Sequence, residues 1–267
     1  MPRYRISEEK LDEFRQNGVV VIPSVISEKK VNQTLIDLDK YLSFVGVDSS
    51  DLQNTGNNLT KLSSTNGSGG VLDVYYEPWK LSLNEDEQVV CTLQDLWHYT
   101  YASGTQENFT HPFGAFDASK GYMYVDRICY RVSSAISELH GKSKRKQLQR
   151  SLTPHLDCCP HDMYGSKGTK WRPIQAFIAL TDTLEPDHGG FEACPGHHIG
   201  FDEWAAKRKG SAAPTGTGTP SSAPPCLGDF SPIRMIEDRD VIDKFRHIPC
   251  KAGDLVCWVR IVLQYIT

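Results

Sequence analysis

The residues with the clearest chemical potential lie in Thr153-Pro154-His155-Leu156-Asp157. On a strand, positions i and i+2 point to the same face, so His155 and Asp157 are expected to project together. An imidazole and a carboxylate side by side are two thirds of the 2-His-1-carboxylate face that holds non-haem Fe(II) and leaves positions open. Taken alone, the triplet reads first as a surface ion pair at a strand end, because short motifs recur by chance. Gln175 shares a strand face with Phe177, Ala179 and Thr181, so it either reaches a bound cosubstrate or is a polar residue at a barrel mouth. Tyr130 and Arg131 are weaker candidates for cofactor contact, with a core or surface role preferred. His197 and His198 sit on a predicted turn, Pro195-Gly196-His197-His198, and read as rim residues before metal ligands.

The elements that must position these groups fall into two halves. Ser7–Gln16 reads as a short helix stopped at Asn17-Gly18. A β-branched strand follows at Val19–Ile22. Ser27 caps a second helix with Val31, Leu35, Leu38 and Leu42 at helical spacing. Ser49–Gly70 is rich in Asn, Ser, Thr and Gly and reads as a polar loop. Leu93–Tyr101 reads as a helix with Trp97 and Tyr99 in the core, and Met123–Val132 as a strand. The second half alternates turns with short β segments: Leu152–Asp157, Ile174–Thr181, Gly190–Cys194, Phe245–Pro249 and Leu255–Leu263. Many short strands of this kind indicate a sandwich or barrel. Arg172 reads as a surface residue, the basic run from Lys142 to Arg150 as a solvated loop, and Gly210–Pro225 as a flexible insertion.

The chain has 267 residues, enough for one large domain, and a formal charge of -4 from 29 basic and 33 acidic side chains. That balance argues against nucleic acid or an anionic membrane as the main partner. No apolar run approaches the ~20 residues of a membrane span, and Met1-Pro2-Arg3-Tyr4-Arg5 does not open a secretory signal. A cytoplasmic location with free thiols is therefore expected. The eight cysteines form no CxxC pair, which argues against a zinc site.

Several segments, taken in order, are similar to the phytanoyl-CoA dioxygenase family of iron(II)- and 2-oxoglutarate-dependent oxygenases. They are Gly18–Ser27, His155-Leu156-Asp157, Trp171–Asp182, His188–His198 and Lys251–Trp258. The resemblance runs from about Leu11 to Trp258. It implies a single-domain, mainly β chain with flanking helices, built on a double-stranded β-helix (jelly roll). It also implies Fe(II) held by His155 and Asp157, 2-oxoglutarate as cosubstrate, O2, and hydroxylation of a small organic or acyl substrate. A catalytically silent jelly-roll binding module is the alternative.

One departure stands out. In the resembled family a second histidine ligand follows the Gly-Asp pair, and counting from Gly253-Asp254 puts it at Gln264; no histidine follows His247. The cation expected to grip the cosubstrate's far carboxylate has no counterpart. The fold is thus expected to be incomplete at the C-terminus and activity impaired. Either glutamine, or two ligands alone, serve the metal, or the chain is a truncated product such as translation into an unspliced intron, which Val259-Arg260 permits and which is the preferred reading.

Overall fold

The computed structural model describes residues 6–106, 109–110, 114–141, 147–158, 173–208, 231–233, 238–262 and 264–266. Arg172, the insertion at 210–225 and much of the basic run fall outside these.

Local chemistry accounts for the opening elements. Ser7 accepts a hydrogen bond from the Lys10 N–H and starts α1 (Glu8–Asn17). Gly18 ends it with φ +67°, its N–H donating to the Phe14 carbonyl. β1 (Val19–Ile22) follows, and Ser27 caps α2 (Glu28–Phe44). The segment expected to be a loop contains α3 (Leu52–Thr55) and a 3₁₀ turn at Gly56–Leu62. Its polar side chains serve its own backbone: Asp48 accepts from the Ser50 N–H, and Thr55 donates to the Asp51 carbonyl. Leu59 then buries beneath the turn.

β2 (Val71–Leu72) leads to α4 (Pro78–Asn84) and α5 (Glu87–Tyr99), the latter capped by Asp86. β3 (Thr105–Gln106) and β4 (Phe109–Thr110) form a hairpin. Only β5 (Ile128–Cys129) of the expected Met123–Val132 strand forms, pairing with β2. Residues 121–127 join no ladder, and Tyr122 and Tyr124 face solvent. α6 (Ser134–Leu139) closes the first half. The expectation of a mainly β chain therefore holds only beyond this point, because the first half is dominated by helices.

The second half supplies β6 (His155–Leu156), β7 (Ile174–Ile178), β8 (Phe191–Ala193), β9 (Ser231–Pro232), β10 (Arg246–His247), β11 (Leu255–Val259) and β12 (Gln264–Ile266). They form two antiparallel sheets, ordered β1-β11-β7 and β10-β8-β12-β6-β9. The expected single strand Leu255–Leu263 is divided. A turn closed by the Val262 N–H on the Val259 carbonyl carries the chain from the first sheet into the second. Backbone contacts hold that corner: the Arg260 N–H donates to the Pro173 carbonyl at 2.6 Å.

β1 is locked to β11 by the turn before it. Gly253 has φ +94°, and a Cβ there would lie 2.5 Å from the Ile26 carbonyl oxygen. Beside it, buried Asp254 accepts from the Ser24 and Lys251 backbone N–H groups. The sheets meet through Phe177 and Trp258 on one side and Phe191 on the other, with ring centroids 4.8–5.9 Å apart. Around these rings lies the main core, which also takes in α1, α5 and β1. A second core gathers Leu38, Leu42, Val47, Leu59, Leu72, Val74 and Leu148.

Candidate metal centre

The strand registers fix the direction of the key side chains. Gln264 is paired with both His155 and Ala193, so these three share one face of the five-stranded sheet. Ala193 and Phe191 are two residues apart on β8 and also share it. Phe191 packs on Trp258 and Phe177, so this face looks into the space between the sheets. Gln175 shares its face with Phe177 on β7 and looks back from the other sheet. Asp157 stands just past the end of β6, between them.

The groups are in contact. His155, 3% exposed, places Nε2 3.1 Å from Asp157 Oδ1. Its Nδ1–H donates to the Thr153 carbonyl at 2.7 Å, which turns Nε2 toward Asp157. Asp157 Oδ2 accepts from Gln175 Nε2 at 3.0 Å and from Gln264 Nε2 at 2.5 Å. The Arg260 side chain, also buried, donates from Nε to the Asp157 backbone carbonyl. Burial opposes ionisation of Asp157, yet the His155 hydrogen bond and charge, the Gln175 amide and the Arg260 guanidinium together hold its carboxyl below the usual range.

This donor set fits a divalent first-row ion. A neutral His155 with its proton on Nδ1 would face the Asp157 carboxylate acceptor to acceptor, an arrangement that calls for a cation, proton or metal, between them. With bonds of about 2.1 Å, two donors at right angles on one ion lie about 3 Å apart. A ligating histidine normally gives its other N–H to a carbonyl or carboxylate, as His155 does to Thr153. Among the described residues, no group of three His, Cys, Asp or Glu side chains converges. The buried Gln175 Oε1 and Trp258 Nε1 have no hydrogen-bond partner and border the same space.

Of the sequence candidates, His155, Asp157 and Gln175 are brought together. Tyr130 and Arg131 are not. Tyr130 packs against the second core, its carbonyl accepting from Gln149, and Arg131 donates to the Arg150 carbonyl on an exposed surface. Being adjacent, the two would point to opposite faces of the expected strand, and neither falls within β5, so period-two alternation could not place them at one site. His198 bonds to the Arg15 carbonyl, and His197 packs against Phe201 and Trp204. Arg260 was not anticipated; a single arginine inside the apolar run Val259–Val262 was the available signal.

No protein-family model matches the chain, and no curated protein matches it. Solved structures do. A putative oxidoreductase from Salmonella typhimurium LT2 aligns with TM-score 0.65 at 12% identity, over 98% of this chain and 66% of that one. GlcNAc Inducible Gene 2 of Candida albicans aligns with TM-score 0.65 at 12% identity, over 98% and 60%. The non-heme alpha ketoglutarate dependent carbocyclase SnoK from nogalamycin biosynthesis aligns with TM-score 0.52 at 17% identity, over 98% and 78%. The chain thus spans somewhat less than two thirds of the length of the first two, and shares its fold with a 2-oxoglutarate-dependent enzyme.

Proposed function

We propose that this chain is a non-haem iron(II)/2-oxoglutarate-dependent oxygenase of the phytanoyl-CoA dioxygenase type, acting on a small organic or acyl substrate. The reading places the two sheets as the facing walls of a jelly roll. The observation that carries it is the inward-facing pair His155 Nε2 and Asp157 Oδ1, 3.1 Å apart between the sheets of an oxygenase-like fold. Ferrous iron held there would supply the centre at which 2-oxoglutarate and O2 react.

The chain's own residues do the rest. The Thr153 carbonyl fixes the His155 tautomer. The Gln175 amide holds Asp157 Oδ2, so Oδ1 is the oxygen left to the ion. Arg260 anchors the Asp157 backbone. Phe177, Phe191 and Trp258 keep bulk water from the inner space. Because an amide replaces the second imidazole, iron affinity and turnover should both be low in this chain. A cytoplasmic setting agrees with six free described cysteines, and no described helix is long and apolar enough to cross a membrane.

The test is anaerobic Fe(II) titration followed by addition of 2-oxoglutarate. A weak visible band, lost in His155→Ala and in Asp157→Asn, is the expected result. Full metal retention by His155→Ala would overturn the assignment. A catalytically silent binding module is the second reading, favoured by the complete hydrogen bonding of the Asp157 carboxylate within the protein. It predicts neither a band nor 2-oxoglutarate consumption.

A further inference from the structure

We infer that Gln264 supplies the third protein donor of this centre through its amide oxygen, giving an N,O,O set that accepts hard divalent ions such as Mn(II) better than a two-histidine set would. The inference rests on the metal reading of His155 and Asp157 given above.

Three features of the structure carry it. Gln264 is the cross-strand partner of His155, and side chains directly opposite on a sheet face have Cβ atoms about 5 Å apart, close enough to share one ion. Its side chain is 4% exposed and already reaches the Asp157 carboxylate. A buried amide is retained there only with a polar partner, and the partner is the proposed ligand itself.

The third feature is redundancy. Asp157 Oδ2 has two amide donors, Gln175 as well as Gln264. Turning the Gln264 amide over, a rotation about one bond, presents Oε1 toward the pair while Gln175 keeps Oδ2 satisfied. A bound cation reverses the preference of that amide: without one the N–H faces the carboxylate, and with one the oxygen does. Gln264 is the better placed of the two, because it stands directly opposite His155 in the same sheet, whereas Gln175 pairs with Trp258 in the facing one.

The ligand chemistry follows from the donor types. Carboxylate and carbonyl oxygens suit Mn(II) and Mg(II), whereas a second imidazole favours Fe(II), Co(II) and Ni(II). Exchanging Gln264 for histidine should therefore change the ratio of affinities between ions as well as their magnitude.

The experiment uses the metal-free full chain, with Mn(II) binding followed by electron paramagnetic resonance and Ni(II) binding by calorimetry. Gln264→Ala is expected to weaken Mn(II) by about tenfold or more, the range for losing a group that supports a metal site. Gln264→Glu, of the same shape, should tighten Mn(II), and its thermal transition shows that the fold is kept. Gln264→His should raise the Ni(II)-to-Mn(II) affinity ratio by at least about tenfold. Mn(II) binding by Gln264→Ala as tight as, or tighter than, the parent would overturn the inference, since Gln264 would then only be holding Asp157. His155→Ala separates the two levels. If it keeps Mn(II), the metal reading itself fails; if it loses Mn(II) while Gln264→Ala does not, only the third donor fails.

Discussion

His198 has two nitrogens in different situations. Nε2–H donates to the Arg15 carbonyl, while Nδ1 is buried without a partner, between Gly18, Val262 and the Phe109 ring. Burial lowers its pKa from the ordinary 6.5, and the hydrogen bond to Arg15 only partly offsets this. The unfolded chain therefore binds the proton more readily than the folded one, so this group's contribution to stability is intact above pH 6.5 and is lost as pH falls below it. Denaturant unfolding at pH 7.5 and 5.5 should show a larger loss for the parent than for His198→Gln, which keeps an N–H donor and does not titrate. Equal losses would place the acid sensitivity elsewhere. The same imidazole constrains its neighbour: a Cβ on Gly18 would meet Nδ1 at 2.5 Å, at a φ of +67°. Gly18→Ala should cost at least about 1–2 kcal/mol, from the left-handed backbone alone, as measured by urea midpoints.

At the scale of elements, most strands are two to five residues long, so side chains rather than ladders hold the sheets together. Phe191 touches both Phe177 and Trp258 across the gap, and Phe191→Ala should cost about 3–5 kcal/mol in global stability and weaken metal binding with it. Unchanged metal affinity in that variant would mean that the centre does not depend on sheet packing. Elements were legible from sequence where their causes are local. Ser7, Gly18 and Ser27 bound α1 and α2, and β-branching marks β1. That His155 and Asp157 share a face follows from the two-residue period of one strand, but the family resemblance singled the pair out, and its spacing pointed to Gln264. The helical turns at 52–62 were not legible, because their polar residues satisfy the backbone in a pattern that composition alone assigns to a loop. The change of sheet at residues 260–262 was hidden too. No glycine or proline marks it, and its stabilising contacts, to Pro173 and Asp157, are remote in sequence.

Across the whole molecule, α2 joins two cores that have different duties. Val31 near its start belongs to the main core with both sheets, while Leu38 and Leu42 belong to the second core with Leu59, Leu72 and Leu148. The candidate ligands all lie on the side of the main core, and Tyr130 packs with the second. Regions with separate cores open separately when their shared contacts are few. Leu72→Ala, at a site 1% exposed, should thus cost about 2–5 kcal/mol, mostly from the cavity it leaves. Hydrogen exchange should quicken at residues 38–74, 128–141 and 147–149, while β7 and β11 keep their protection. Metal affinity per folded molecule should match the parent, in contrast to Phe191→Ala. If Leu72→Ala instead weakens metal binding in proportion to its loss of stability, the two cores form one cooperative unit, and α2 transmits strain from the outer core to the sheets.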